Sequence, residues 1–176
     1  MQAKRGFTLV EILIVVVILG ILAAIVIPQF TQASTEAKQN SLCSDLQSLR
    51  SQIELYKCQH NDMPPGNTEA AGVITSAIDS FDEQMIYCTD IHGATENSKV
   101  RNATGGYIYG PYLERIPDNP FNNDNTLDAM AASGTPTTAG SGDSGWQYWT
   151  ATGEIFANDE GSFVDSTGTT VYHSSL

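Results

Sequence analysis

Glu11 is the residue whose type and position most strongly indicate a specific chemistry. It is one of two polar residues, with Thr8, in an apolar run of 21 residues from Phe7 to Ile27. A carboxylate within such a run is expensive in lipid and ordinarily has a function, for which it needs a cationic partner. Cleavage of the chain between Gly6 and Phe7 would create that cation, an α-amine. In a row of staggered identical helices, the amine of one subunit would then neutralise Glu11 of its neighbour.

The apolar run predicts a helix that spans a membrane. At a helical rise of about 1.5 Å per residue the run is roughly 31 Å long, which matches the hydrocarbon core of a bilayer. Lys4 and Arg5 precede the run, and they predict a cytoplasmic N-terminus with an exported C-terminal part. A secretory signal peptide and a plain single-span anchor are the alternatives, and neither of them explains Glu11.

Residues 4–11, which read KRGFTLVE, resemble the class III signal of type IV prepilins and type II secretion pseudopilins. The resemblance implies that a prepilin peptidase cleaves after Gly6 and methylates the new amine of Phe7. It also implies that Glu11 is the residue required for assembly. Pro28 stands where members of this family commonly have a helix-bending proline. A proline removes a backbone donor and clashes with the preceding turn, so a kink near Pro28 is expected.

Beyond the apolar run, residues 28–62 predict an amphipathic continuation of the helix, which we call the stalk. A short second helix is predicted over residues 69–84 from the same periodicity. Alternating residues around a glycine predict a β-hairpin over residues 145–157, and a weaker hairpin is expected within 162–173. The apolar stripe of the stalk consists of Phe30, Ala33, Ala37, Leu42, Leu46, Leu49, Ile53 and Tyr56.

The predicted fold class is α+β. A long N-terminal helix, half transmembrane and half amphipathic, packs on a small head that has a short helix and an antiparallel β-sheet. The segments are a leader (1–6), a transmembrane and assembly helix (7–27), the stalk (28–62) and a globular head (63–176). A loop rich in small and polar residues occupies 122–144 within the head. The preceding run Tyr112–Phe121 resembles the segment before the sheet in the major pseudopilins of type II secretion.

Three cysteines lie outside the apolar run, and their positions limit which of them can pair. Cys43 and Cys58 are about 22 Å apart along one predicted helix, whereas the Cα atoms of a disulfide lie within about 7 Å. Cys88 can pair with either of them. A Cys58–Cys88 disulfide is favoured, because Cys58 lies near the helix end where the chain turns back. Three free buried thiols are the alternative.

One loop carries residues of the kind that bind calcium. Asn122, Asp124, Thr126 and Asp128 alternate along the chain, and their oxygens suit Ca²⁺, although the glycine and the distant glutamate of an EF-hand are missing. Major pseudopilins often bind calcium in their C-terminal loops. Asn122, Asp124 and Asp128 are therefore a candidate calcium site, and no other cofactor is expected.

Composition and spacing argue against several classes of function. His60, His92 and His173 show no metal-ligand spacing and are expected at the surface. No acid, base and nucleophile converge in the sequence, so an enzyme is not predicted. The formal net charge of −12 would repel phosphate backbones, so nucleic acid is not an expected partner.

The resemblance implies a structural subunit that is cleaved, N-methylated and polymerised into the periplasmic pseudopilus of a type II protein secretion system. The implied partners are other copies of the chain, the prepilin peptidase, an inner-membrane assembly platform, minor pseudopilins and, before assembly, membrane lipid. The expected location is the inner membrane, with a single span, a cytoplasmic N-terminus and a head that is periplasmic, or extracellular in the filament. The alternatives are a type IV major or minor pilin of a surface fibre for adhesion, motility or DNA uptake, and a membrane-anchored binding protein.

Overall fold

The computed structural model describes residues 8–70, 72–76, 79–130, 144–159, 161–164 and 170–173. The chain divides into two compact units, Met1–Asn40 and Ser41–Leu176. Helix α1 (Leu9–Gln59) contributes to both units. The predicted α+β class is confirmed, because this long helix is followed by a short helix and by antiparallel strands.

The amphipathic stripe of α1 is buried only in its C-terminal part. Leu42, Leu46, Leu49, Ile53 and Tyr56 are 0–1% exposed, and their alternating steps of four and three residues place them on one helix face. The earlier members of the predicted stripe do not share this burial, since the side chain of Phe30 is 73% exposed. The stripe is therefore confirmed from Leu42 onwards and wrong before it.

α1 ends at Gln59, close to the predicted position. Asn61 and Asp62 follow with positive φ angles of 54° and 66°, a backbone conformation that Asn and Asp tolerate better than most residues. The Asp62 N–H donates to the carbonyl oxygen of Lys57 at 2.9 Å, which satisfies one of the carbonyl groups left open at the helix end.

The first half of the predicted second helix is wrong. Strands β1 (Asn67–Ala70) and β2 (Val73–Ser76) form an antiparallel hairpin instead, and helix α2 is confined to Asp79–Ile86. The β-branched run at residues 73–75 explains the difference, because such side chains lose rotamer freedom in a helix and fit a pleated strand. Gly72 lies at the turn with a φ of 78°, which glycine adopts without steric cost.

The head contains a three-stranded sheet whose order is β3-β4-β5. Its strands are β3 (Leu127–Met130), β4 (Trp146–Trp149) and β5 (Glu154–Ala157). The predicted hairpin at residues 145–157 is confirmed, since β4 and β5 pair in antiparallel fashion. β3 pairs with β4 in parallel, and it lies within the segment predicted as a loop at 122–144. The predicted second hairpin is also confirmed, as β6 (Ser162–Val164) pairs with β7 (Thr170–Tyr172).

The core of the head forms where the buried stripe of α1 meets α2 and the sheet. Phe81 of α2 packs against Tyr148 of β4, with ring centroids 4.5 Å apart. Two of the buried aromatic residues hydrogen bond through their polar atoms. Tyr148 donates from its hydroxyl group to the Pro65 carbonyl at 2.7 Å, and Trp146 donates from Nε1 to the Pro117 carbonyl at 2.9 Å.

Candidate assembly site

Thr8 and Glu11 form a reciprocal cap at the start of α1. The Glu11 carboxylate accepts hydrogen bonds from the Thr8 backbone N–H at 2.8 Å and from the Thr8 hydroxyl group at 2.7 Å. In return, the Glu11 N–H donates to Thr8 Oγ1 at 3.3 Å. This is a capping box, in which two backbone donors of the first turn are satisfied by side chains. The spacing of a threonine three residues before a glutamate, ahead of an apolar run, could have indicated this role for Thr8 in advance.

The helix that follows this cap presents a continuous apolar surface. Every described side chain from Leu9 to Ile27 is exposed, although the helix is apolar enough to cross a membrane, with a mean hydropathy of 3.3 over 18 residues. An exposed apolar patch of this extent marks a surface that lipid or other protein covers. The capped carboxylate of Glu11 therefore lies at one end of a helix surface that needs a partner.

Comparisons with known proteins assign the same region to a processing motif. The family described as the prokaryotic N-terminal methylation motif matches residues 1–27. The type II secretion system core protein G of Aeromonas hydrophila is 31% identical over 125 residues, which cover 70% of this chain and 73% of that protein. The chain belongs to the core protein G family. Its members are structural pseudopilin subunits, and so is this chain.

Two further core protein G sequences extend the comparison. The protein of Dickeya chrysanthemi is 41% identical over 120 residues, which cover 68% of this chain and 65% of that protein. The protein of Klebsiella pneumoniae is 28% identical over 127 residues, which cover 72% of this chain and 76% of that protein. No solved structure matches the chain.

The structure describes only some of the predicted assembly residues of this chain. Gly6 and Phe7 lie outside the described residues, so cleavage and methylation there stay predictions. Glu11 lies on the first turn of α1. The helix continues unbroken through Pro28, and the predicted kink stays a prediction.

The predicted Cys58–Cys88 disulfide is not formed. Cys43, Cys58 and Cys88 are all free in the structure. Cys58 is exposed on the last turns of α1, whereas Cys88 is fully buried directly after α2. The two side chains thus differ in their exposure to solvent. The alternative of three free buried thiols agrees with the free state of all three, but only Cys88 is buried, because Cys43 is half-buried and Cys58 is exposed.

Two of the candidate calcium residues, Asn122 and Asp124, form local turn hydrogen bonds, whereas Asp128 lies in strand β3. Asp124 accepts hydrogen bonds at Oδ1 from the N–H and the hydroxyl group of Thr126, both at 2.7 Å, and these bonds lower the pKa of the Asp124 carboxyl. Asn122 donates to the carbonyl groups of Ser144 and Asn158. Within the described part of the chain, no three His, Cys, Asp or Glu side chains are grouped so as to hold a metal. Calcium binding at Asn122, Asp124 and Asp128 stays a prediction.

Two of the three histidines are buried, contrary to the expectation of surface positions. The His60 ring stacks on that of Tyr56 with centroids 3.8 Å apart, and its Nε2 lies 2.9 Å from the Thr89 hydroxyl oxygen. His173 lies 2.6 Å from a carboxylate oxygen of Asp159 through Nδ1. Both histidines have polar partners from distant parts of the chain, so spacing along the sequence carried no signal for them.

The head also has a surface groove of about 600 Å³ between the C-terminal part of α1 and β5. Arg50 crosses it, because its Nη2 donates to the Ile155 carbonyl at 3.0 Å and its guanidinium lies 5.5 Å from the centre of the Phe156 ring. Lys57 is paired with Glu54 at 2.9 Å. Since these charges are engaged within the head, the groove offers little charge to a ligand.

Proposed function

We propose that this chain is cleaved after Gly6, methylated on the amine of Phe7 and polymerised into the periplasmic pseudopilus of a type II protein secretion system. Polymerisation then pairs the Phe7 amine of one subunit with Glu11 of the next. The prepilin peptidase, an inner-membrane assembly platform and minor pseudopilins are the partners in this process. Membrane lipid covers the apolar helix before assembly.

The observation that carries this proposal is the position of Glu11. Its carboxylate accepts two hydrogen bonds from Thr8, and it stands at the start of an exposed apolar helix. Thr8 provides neutral donors, which satisfy the oxygen but leave its charge uncompensated. A free amine on a neighbouring subunit would supply that missing charge in a site that excludes water, where opposite charges attract most strongly.

Lys4 and Arg5 support a cytoplasmic N-terminus with the head in the periplasm. The order of events follows from the same residues. The basic pair orients the chain during insertion, and cleavage then removes both cations, which changes the formal net charge from −12 to −14. The new amine of Phe7 is the cation that remains near Glu11.

The same N-terminal motif would also serve a type IV pilin of a surface fibre. The core protein G relatives favour the secretion system. A membrane-anchored binding protein is a different class, because its head would act as a single copy and would not need the charge of Glu11.

The first experiment is the mass of the intact protein and of its N-terminal peptide after isolation from the native membrane. A chain that begins at methylated Phe7 supports the proposal. A chain that retains residues 1–6, or one that is cut after the apolar run, contradicts it.

The second experiment tests assembly through Glu11→Gln, with Glu36→Gln as the matched control. Both glutamates are exposed on α1, but Glu36 lies beyond the apolar run. Filaments released from the periplasm by osmotic shock and pelleted should be lost in Glu11→Gln and retained in Glu36→Gln, at equal amounts of subunit in the membrane. Equal filament yields in the two variants would refute the role of Glu11 in polymerisation.

A further inference from the structure

The β1–β2 hairpin is fixed firmly at its base. Gln84 of α2 is fully buried there. Its Oε1 accepts a hydrogen bond from the Gly66 N–H at 2.6 Å. Its Nε2 donates to the carbonyl groups of Asn67 and Gly93, both at 2.8 Å. Asn67, the first residue of β1, donates to the Thr150 carbonyl at 2.7 Å. The orientation of the hairpin is therefore set by buried polar groups, which hold a single arrangement because their loss would leave each partner unsatisfied.

The outer strand of this hairpin is exposed and apolar. All four residues of β2 are exposed, with Val73 at 64% and Ile74 at 62%. Among the described residues, β2 pairs with β1 alone, so its other edge carries unpaired backbone groups. It has none of the charged residues, prolines or bulges by which proteins normally protect an exposed edge strand from pairing with another chain.

We propose that β2 is a contact surface for a second copy of this chain, through which the heads of adjacent subunits touch in the filament. This inference rests on the proposed function, since it places the contact within the pseudopilus. Val73 and Ile74 would bury their side chains against the adjacent head, and the β2 edge would find partners for its backbone groups there.

Charge favours a second copy over another kind of partner. The chain carries a formal net charge of −12, yet the ten residues of the hairpin, 67–76, contain a single charged residue, Glu69. The carboxylate of Glu69 lies 3.5 Å from Nδ1 of His92. Two copies of an acidic protein repel each other over most of their surfaces, so they approach most easily where both lack carboxylates. A basic partner would instead bind the acidic surfaces that β2 avoids.

Site-specific crosslinking tests this contact directly. A photoreactive phenylalanine analogue replaces Ile74 in the full-length chain, in cells that carry the assembly machinery, and the matched control position is Val100, a 75% exposed residue of the head. Irradiation should give a product of twice the subunit mass from position 74 and little of it from position 100. An adduct of any other mass, or none in cells that still form filaments, would overturn the proposal.

Substitution gives a second, independent measurement. Ile74→Lys should reduce the yield of filaments released from the periplasm by at least about fivefold, which corresponds to roughly 1 kcal/mol per contact, while Val100→Lys leaves that yield within about twofold. Unchanged filaments in Ile74→Lys would contradict the contact, and so would lost secretion with normal filaments, because that result indicates a different partner. If the unaltered chain forms no filaments at all, the proposed function fails before this inference is reached.

Discussion

Leu13 and Leu46 are leucines of the same helix, yet Leu13 is 52% exposed and Leu46 is fully buried. The difference arises from the side chains of the same chain that surround each leucine. Around Leu46, side chains of α2 and of the sheet complete a core. Around Leu13, the described residues provide no such cover, so the helix depends on lipid or on other subunits.

This contrast separates stability from assembly. The head buries the stripe of α1 in its own core, and its free energy of unfolding should respond to substitutions within that stripe. The backbone groups of the apolar helix are satisfied by hydrogen bonds within the helix and by its cap. Its side chains are covered only by lipid or by other subunits. Substitutions there should change insertion or polymerisation and leave the stability of the head nearly unchanged.

The largest effect is expected for Leu46→Ala, compared with Phe30→Ala on the same helix. Loss of the buried side chain should lower the free energy of unfolding of the head by about 2–5 kcal/mol. Removal of the exposed Phe30 ring should change it by less than about 0.5 kcal/mol. Thermal unfolding of the full chain in detergent micelles measures both values. A similar loss in the two variants would remove the distinction between the two regions.

A somewhat smaller effect is expected for Val16→Asp, because a carboxylate at the centre of a spanning helix costs about 3 kcal/mol on insertion scales. The fraction of chains that resist extraction from the membrane should fall, while purified chains keep the unfolding temperature of the head. Gln32→Asp, which adds the same charge beyond the apolar run, is the control and should remain inserted. Unchanged resistance of Val16→Asp to extraction would mean that this helix is held at the membrane without crossing the bilayer.

The same two regions differ in how far sequence alone could predict them. The apolar helix was predictable because its signal is local: a long apolar run with one carboxylate has few physical interpretations. The sequence predicts a helix at residues 73–76 because Val73 and Ile74 fit the periodicity of a helix as well as that of a strand. The hydrogen bonds that fix the hairpin come from Gln84 and Thr150, which lie elsewhere in the sequence. Strand β3 was missed because its pairing with β4 joins residues far apart in the chain.

His60 provides a smaller test, confined to the head. Burial lowers the pKa of His60, and this outweighs the Tyr56 carbonyl and Asp90, which favour the charged form. As the pH falls through about 6.5, His60 is therefore protonated in the unfolded chain while it stays neutral in the folded head. Stability should be constant above that pH and should fall below it, by at most about 1.4 kcal/mol per pH unit.

Unfolding of the full chain between pH 7.5 and pH 5 measures this slope. His60→Gln should flatten the slope, whereas replacement of the exposed His92 by Gln should leave it in place. An equal decline with pH in His60→Gln would assign the effect to another group.

The smallest effect is expected at the cap of α1, which Thr8 and Glu11 form. Thr8→Val keeps the shape of the side chain but removes both hydroxyl hydrogen bonds with Glu11, which should destabilise the first turn by about 1 kcal/mol. The amides of Glu11 and Ile12, which both donate to Thr8, should then exchange with deuterium about fivefold faster in micelles, and Thr8→Ser should restore the slower rate. Thr31→Val is the control, since Thr31 only donates to the Ile27 carbonyl in mid-helix, a bond that does not support the helix. Unaltered exchange in Thr8→Val would mean that Glu11 is held by something other than this threonine, and the search for its partner would then move to the neighbouring subunit.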